Sequence, residues 1–222
     1  MFIKRIIKSI VSPIVTRYQS WKHAKPVSFS YKNCSVNVLP GVYSPKIHYS
    51  TSLFMDYLEA IDLTHQTVLE LGCGSGIISV FAASKGAIVT SSDINNTALN
   101  ELTVHVRDEN LNIIVVYSDL FENLHFHFDY ILINPPIRAE NPDYVDDKAN
   151  KAGQDSQYYD QLFSQLKVRT LRETQILMIL PDEAELFAIM RRAKLNHLKL
   201  KTLKVLNKGL NRAVVYRVMD NA

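Results

Sequence analysis

The stretch that decides the fold is ELGCGSG at residues 70–76, which closes a short apolar run beginning at Thr67. Three of the seven glycines of the chain, Gly72, Gly74 and Gly76, fall within five residues. Such a run, followed by glycines and then by helical periodicity, predicts a strand–turn–helix unit whose turn lets a ligand approach the backbone closely. The spacing G-x-G-x-G differs from the dinucleotide fingerprint G-x-G-x-x-G, which makes a nicotinamide dehydrogenase the weaker interpretation.

Apolar strands and helical segments alternate from this loop onward. The predicted strands cover residues 67–71, 87–92, 113–117, 128–133 and 174–180, and the predicted helices 75–84, 96–106, 155–170 and 182–193. Residues 198–206 and 212–218 are predicted to close the sheet as an antiparallel hairpin. Ser50 or Thr51 is predicted to cap an earlier helix that ends near Ile61. We therefore expect an α/β fold with a mostly parallel sheet between layers of helices.

Residues 1–45 are predicted to form a small N-terminal extension to the main domain, residues 46–222. Within it, residues 1–18 show helical periodicity with a basic polar face, and residues 27–31 and 35–39 alternate like a β-hairpin. Three interpretations of the helix stay open: it packs on its own domain, contacts RNA or lies on a membrane surface. The long irregular stretch after the fourth strand, residues 137–154, is typical of a lid or binding segment.

Composition excludes several classes of protein. The chain is 47% hydrophobic and 21% charged, which is typical of a globular domain. Two cysteines build neither a disulfide framework nor a CxxC metal site. No apolar run is long enough to span a membrane, so we expect a cytoplasmic protein without integral membrane contact. Oligomeric state stays open.

The net charge of +3 conceals a strong asymmetry. Residues 1–55, 56–185 and 186–222 carry formal charges of +8, −13 and +8, counted from the sequence. Basic segments at both ends favour a polyanionic partner such as a nucleic acid. The alternative interpretation is that these lysines only keep two peripheral elements soluble, which would give the same charge distribution. The candidate phosphate contacts are Lys4, Arg5, Lys8, Lys22, Lys25, Arg191, Arg192, Lys194 and Arg212.

Polar residues follow the next three strands as well. Asp93 and Asp119 come at the ends of the second and third strands, where a carboxylate can accept hydrogen bonds from ribose hydroxyls. The fourth strand ends in Asn134-Pro135-Pro136, whose prolines remove two N–H donors and leave the Asn134 side-chain oxygen and the Pro135 carbonyl as acceptors. Because ligands gather at the carboxyl ends of parallel strands, these residues predict one site that receives an amino group.

The motifs ELGCGSG, Asp93, SDLF at 118–121 and NPPI resemble the class I S-adenosylmethionine-dependent methyltransferases that modify nitrogen, which have a Rossmann-like three-layer sandwich with a seven-stranded sheet. More narrowly, residues 39–58 (LPGVYSPKIHYSTSLFMDYL) and 134–139 (NPPIRA) resemble the small-domain branch that methylates guanine N2 in small-subunit ribosomal RNA. Related enzymes with NPPY methylate a glutamine amide in peptide release factors. The resemblance covers about residues 40–218.

This resemblance implies S-adenosylmethionine as cofactor, S-adenosylhomocysteine as product, and a role for each site residue. The implied cofactor-binding residues are Thr51 at the mouth, Glu70, Gly72, Cys73, Gly74 and Gly76 in the loop, Asp93 at the ribose, Ile94, Asp119 and Leu120 around adenine, and Asn134. The implied catalytic residues are Asn134, Pro135 and Pro136, and Ile137 and Arg138 would bind substrate. Ile137 departs from the aromatic residue of many nitrogen methylases. We expect no metal and no catalytic histidine.

The leading hypothesis is therefore methylation of the exocyclic amine of a guanine in ribosomal RNA. Two alternatives stay open: methylation of a release-factor glutamine, and a non-catalytic module that only binds S-adenosylmethionine. The intact glycine loop with Asp93 and Asn134 argues against the silent module, and the charge asymmetry favours RNA over a protein loop.

Overall fold

The computed structural model describes residues 25–45, 48–136, 148–169, 173–182 and 184–221. The predicted N-terminal helix over residues 1–18 lies outside them, as do Ile137, Arg138 and the first part of the expected lid segment, up to residue 147.

Strands and helices alternate through the described chain. The strands are β1 (Val27–Tyr31), β2 (Cys34–Val38), β3 (Thr67–Leu71), β4 (Ile88–Asp93), β5 (Ile113–Tyr117), β6 (Tyr130–Ile133), β7 (Gln175–Pro181), β8 (Leu198–Lys208) and β9 (Asn211–Asp220). The helices are α1 (Tyr49–Leu58), α2 (Ile77–Ser84), α3 (Asn96–Asp108), α4 (Lys148–Lys167) and α5 (Leu186–Leu195).

The central sheet has seven strands in the order β5-β4-β3-β6-β7-β9-β8. The strands β3 to β7 run parallel, and β9 and β8 complete the sheet as an antiparallel pair. This arrangement confirms the mostly parallel sheet and the C-terminal hairpin expected from the sequence. It follows from the short runs of valine, isoleucine and leucine, because strands buried on both faces need apolar side chains at nearly every position.

Each face of the sheet carries its own apolar core. Helices α1 and α2 cover one face, where Phe54, Met55 and Val215 are fully buried. Helix α4 covers the other face, where Phe163 and Met178 are fully buried. The three layers expected for the fold are thereby present.

The predicted N-terminal hairpin is also present, and it packs on the main domain. Strands β1 and β2 pair antiparallel through the turn at Lys32, which has a positive φ of 51°. Val36 and Val38 are buried in the same apolar core as α1 and α2. The division of the chain at residue 45 stays a prediction.

Several helix starts differ from the sequence-based expectation, since α2 begins at Ile77 rather than residue 75 and α5 at Leu186 rather than residue 182. Helix α1 has His48 as its N-cap residue without a side-chain cap, so the predicted cap by Ser50 or Thr51 is wrong. Both residues lie inside the helix and are buried, and Thr51 makes a tertiary contact instead. Helix α4 begins at Lys148 rather than at Asp155, so the end of the stretch expected to be irregular is helical.

Candidate functional site

The predicted site residues meet at one edge of the sheet because the parallel strands end in register. Leu71 of β3 pairs with Ser92 of β4 and with Ile133 of β6. The residues that come next in these three strands are Gly72, Asp93 and Asn134, so all three lie at the same end of the sheet. Strand β5 ends beside Asp93, which places Asp119 at the same edge. The expected convergence at the carboxyl ends of the strands is therefore present.

The glycine loop has a left-handed backbone at each of its glycines. Gly72, Gly74 and Gly76 have φ values of 73°, 52° and 74°, a region that other residues rarely adopt. A Cβ atom at Gly72 would meet nothing within 4 Å, whereas one at Gly76 would lie 2.5 Å from the side chain of Leu102. Gly72 thus leaves open space for a ligand at the strand end, and Gly76 lets α2 and α3 pack closely.

Asp93 fixes the shape of this loop through both of its carboxylate oxygens. Gly74 N donates to Oδ2 at 2.7 Å, and Asn95 N donates to Oδ1 at 2.8 Å. Asn95 in turn caps α3 by accepting hydrogen bonds from Thr97 N and Ala98 N. The carboxylate therefore ties the glycine loop to the start of α3, and each of its oxygens keeps a further lone pair for a ligand.

Glu70 lies beneath the loop in a buried chain of hydrogen bonds. Its Oε2 accepts from Ser79 N at 2.8 Å and from the Ser79 hydroxyl, to which the Ser91 hydroxyl donates. Burial raises the pKa of Glu70 to about 8, helped by the negative charge of Asp93, although the hydrogen bonds from Ser79 act in the other direction. The carboxyl is thus held by α2, and near neutral pH it is largely protonated.

Cys73 is a buried packing residue within the loop. The residue is only 6% exposed, and burial is the main cause that raises the pKa of its thiol. A thiol in such surroundings is a poor nucleophile at neutral pH, so the contribution of Cys73 is its backbone and its volume. Its backbone N–H donates to Ser92 O at 2.9 Å.

The residues expected around adenine differ in their exposure. Ile94 is 57% exposed at the end of β4, which is unusual for an isoleucine and leaves it available to cover an apolar ring. Asp119 is exposed, whereas Leu120 is half-buried, has a φ of 47°, and its carbonyl accepts from the Ser118 hydroxyl at 2.8 Å. The edge thus offers one exposed apolar side chain and one solvated carboxylate.

Asn134 is held by a residue distant in sequence. Its Nδ2 donates to Thr51 Oγ1 in α1 at 3.0 Å. The Asn134 Oδ1 atom is buried and accepts no hydrogen bond from any residue in the described part of the chain. Buried acceptors are normally satisfied, so an orphaned one at a strand end points to a ligand that donates an N–H or O–H. Pro135 beside it is buried, and Pro136 is exposed.

Two tyrosines near the site were not predicted as part of it. A Cβ at Gly74 would lie 3.5 Å from Tyr43 Cβ, and the Tyr43 ring stacks on His48 with centroids 3.9 Å apart. Burial, followed by the charge of Asp93, raises the pKa of Tyr158 in α4. Tyr43 falls within residues 39–58, whose sequence indicated only a family resemblance.

Neither a metal cluster nor a membrane span occurs among the described residues. No group of three or more histidine, cysteine, aspartate or glutamate side chains within that part of the chain is placed to hold a metal ion. No described helix is long and apolar enough to cross a membrane. His127, in a histidine pair before β6, instead lies 3.3 Å from Thr174 Oγ1 through its Nε2.

The predicted basic contacts are distributed unevenly. Lys25, Arg191 and Lys194 are exposed, whereas Arg192 pairs with Asp160 and Arg212 lies 3.7 Å from Asp182. The remaining candidates, Lys4, Arg5, Lys8 and Lys22, lie outside the described residues.

The sheet order and the site edge define a class I methyltransferase fold. A methyltransferase from Pyrococcus furiosus has the same fold with a TM-score of 0.65 and 15% identity, over 96% of this chain and 99% of that one. A T. thermophilus 16S rRNA N2 G1207 methyltransferase, solved with AdoMet and guanosine, gives a TM-score of 0.61 at 16% identity, over 87% of this chain and 50% of that one.

The family model described as methyltransferase small domain matches residues 33–152, more than half of the chain. The chain therefore belongs to the methyltransferase small domain family, as the sequence motifs indicated. The match covers the glycine loop, Asp93, Asp119 and the Asn134 motif, and it ends within α4.

Curated relatives carry two kinds of name. A provisionally named protein N5-glutamine methyltransferase of Methanocaldococcus jannaschii is 40% identical over 84 residues, 37% of this chain and 43% of that protein. The ribosomal RNA small subunit methyltransferase C of Buchnera aphidicola is 33% identical over 115 residues, 50% of this chain and 35% of that protein. The matched segments thus span less than half the length of these relatives.

Proposed function

We propose that this protein is an S-adenosylmethionine-dependent N-methyltransferase whose target is the exocyclic N2 of a guanine in ribosomal RNA. The observation that carries the proposal is the buried Asn134 Oδ1, an acceptor with no donor among the described residues, at the same sheet edge as the glycine loop. The family and the name of the Buchnera aphidicola relative support the reaction and the substrate class respectively.

The residues at the sheet edge fit this cofactor better than a nucleotide with phosphates. Asp93 and Asp119 put two carboxylates at the sheet edge that carries the glycine loop, an arrangement that favours a sulfonium or ammonium group over a pyrophosphate. Asp93 would accept from the ribose hydroxyls, and the exposed Ile94 would cover the adenine. When bound, S-adenosylmethionine supplies a methyl group activated by a positively charged sulfur.

Asn134 and Pro135 would hold the target amine. The nitrogen of an exocyclic amine or amide is a weak nucleophile because its lone pair is delocalised. Hydrogen bonds from its two N–H groups to Asn134 Oδ1 and the Pro135 carbonyl favour the pyramidal nitrogen, whose lone pair is available. These acceptors therefore stabilise the transition state more than the ground state, and they also orient the amine. No strong general base is needed, since the proton can leave after the transfer.

RNA is favoured over protein by the charge of the chain. The two terminal segments each carry +8, and such basic segments bind phosphates. A paired guanine cannot reach a pocket at a sheet edge, so the target base must be unpaired or flipped out of its helix. We expect the reaction in the cytoplasm, where ribosomal subunits are found.

Release-factor glutamine is the second candidate, and the 40% identity to the Methanocaldococcus jannaschii protein favours it. A glutamine side-chain amide has the same two N–H groups as a guanine amine, so Asn134 and Pro135 would serve either substrate. The two candidates therefore share the proposed chemistry and differ only in the acceptor.

The test offers both acceptors to the same enzyme. Methyl-labelled S-adenosylmethionine is incubated with unmethylated small ribosomal subunits or their RNA, and separately with unmethylated release factor. Label in RNA that is lost in Asn134→Ala is the result we expect. Label in release factor alone would show that the enzyme methylates a glutamine amide by the same chemistry. Binding of the cofactor without label in either acceptor would contradict the proposal.

A further inference from the structure

The outermost strand of the sheet carries a row of lysines that the proposed chemistry does not use. Lys199, Lys201, Lys204 and Lys208 of β8 are all exposed. None of them forms an ion pair with another described residue. Four free positive charges on one strand form a basic surface, which we call the β8 lysine row.

The register of the hairpin places the whole row on one face. Lys201 pairs with Arg217 of β9, and Lys204 pairs with Val215. Partners in an antiparallel pair share a face, as do residues two apart on one strand, so both lysines lie on the face of Val215 and Arg217. Lys199 and Lys208 follow the same alternation through their partners Met219 and Asn211.

A β-bulge is what keeps the row together. The pairing skips Leu203 between Thr202 and Lys204. If the strand alternated regularly through Leu203 instead of bulging there, Lys204 and Lys208 would face the opposite side from Lys201. The bulge therefore re-aims two side chains and aligns four lysines in one direction.

Protection of an edge strand against aggregation does not explain this alignment. Lysines on an edge strand block edge-to-edge pairing whichever face they occupy. Here they occupy a single face, and the half-buried Arg217, on the interior strand β9, adds a fifth positive charge to it. A one-sided row of cations is instead suited to a polyanion lying along the strand.

The row ends at the edge of the sheet that carries the site. Ala213 pairs with Pro181 at the carboxyl end of β7, so the turn between Lys208 and Arg212 projects at that edge. The Tyr49 hydroxyl donates to Arg212 O at 3.1 Å, which joins this turn to the start of α1, two residues from Thr51. From Lys199 to Lys208 the strand extends roughly 30 Å, at about 3.3 Å per residue.

We propose that the β8 lysine row binds the phosphate backbone of the RNA substrate and leads its unpaired segment to Asn134. This inference rests on the proposed function, because it assumes that the acceptor is RNA. The row would supply sequence-independent affinity and orientation, while the residues at the sheet edge select the base.

The test compares two triple variants that remove the same charge. Lys201→Gln, Lys204→Gln and Lys208→Gln together remove three positive charges from the row. The control combines Lys32→Gln, Lys85→Gln and Arg107→Gln, which remove three positive charges elsewhere that are not among the candidate phosphate contacts. For each protein we would measure binding of an unmethylated small-subunit RNA fragment between 50 and 200 mM salt, methyl transfer to that RNA, and affinity for S-adenosylmethionine.

The expected result is specific to the row. The slope of log K against log salt becomes shallower by about 2, at roughly 0.7 per lost phosphate contact on single-stranded RNA. At low salt kcat/KM for RNA falls at least tenfold, and cofactor affinity is unchanged. The control variant keeps the wild-type slope and kcat/KM.

Other outcomes separate this inference from the proposed function. If wild type labels RNA and the row variant behaves like the control, the inference is overturned and the proposed function stands. If wild type binds RNA through the row but labels only release factor, the surface is supported and the RNA substrate is wrong. If wild type neither binds nor labels RNA, both fail.

Discussion

Thr51 Oγ1 accepts a hydrogen bond from Asn134 Nδ2 at 3.0 Å, across 83 positions of sequence. In this contact the nitrogen end of the Asn134 amide faces Thr51. With the nitrogen bound to Thr51, the oxygen is buried and accepts no hydrogen bond from another described residue. Thr51 was expected to line the mouth of the cofactor site; its contact also makes it a positioning residue for Asn134.

Thr51→Val should lower kcat about tenfold. Valine keeps the shape of threonine but offers no acceptor, and a lost hydrogen bond of this kind is worth about 1–1.5 kcal/mol. Thr51→Ser keeps the acceptor and should retain most of the activity. Steady-state kinetics with varied cofactor measure the effect. A rise in the KM for S-adenosylmethionine with kcat unchanged would assign Thr51 to cofactor binding alone.

Gly76→Ala should destabilise the protein by about 2 kcal/mol or more, because its Cβ would overlap the side chain of Leu102 at 2.5 Å. Gly209→Ala is the matched control, since Gly209 also has a positive φ, of 63°, but has open space around its Cβ position. Urea unfolding measures both free energies. Equal losses in the two variants would show that backbone strain, and not packing on α3, explains the glycine.

Gly72→Ala should weaken cofactor binding at least tenfold while costing about as much stability as Gly209→Ala. Both glycines have a left-handed backbone and open surroundings, but only Gly72 lies at the site edge, where a methyl group would fill the space left for a ligand. Calorimetric titration with S-adenosylmethionine measures the affinity. Unchanged affinity in Gly72→Ala would remove this glycine from the cofactor site.

Glu70 should make stability fall as pH rises. Its pKa is raised by burial from an ordinary 4.5 to about 8, so between these values the folded state holds a proton that the unfolded state has lost. The contribution is fully present below the lower value and is lost at about 1.4 kcal/mol per pH unit towards the upper one. Glu70→Gln should flatten this dependence in unfolding curves measured at pH 5 and 8. A slope equal to that of wild type would contradict the assignment.

The strands and the glycine loop were predictable from sequence because their signals are local. Short runs rich in valine, isoleucine and leucine mark β3 to β7, and the acids and the asparagine come directly after those runs. The topology of parallel strands then brings them together, so the site edge needs no information about side-chain contacts.

Long-range contacts and helix starts were not predictable in this way. Thr51 looks like an N-cap in sequence, but its hydroxyl satisfies Asn134 instead. The chain from Glu70 through Ser79 to Ser91 joins two strands and a helix, and nothing in the local pattern of these residues indicates it. The sequence does not predict the bulge at Leu203 either, because the spacing of the lysines does not determine how β8 pairs with β9.

The most direct test of the account is the single-turnover rate of methyl transfer by Asn134→Ala at saturating S-adenosylmethionine, with the RNA acceptor. Asn123→Ala is the matched control, because it makes the same substitution at an exposed asparagine, whose side-chain amide donates to Tyr117 O. The account predicts a fall of about 10²–10³-fold in Asn134→Ala, by analogy with the loss of one oxyanion-hole donor, and a rate near wild type in the control. If the single-turnover rate of Asn134→Ala falls by less than about threefold, the account is contradicted.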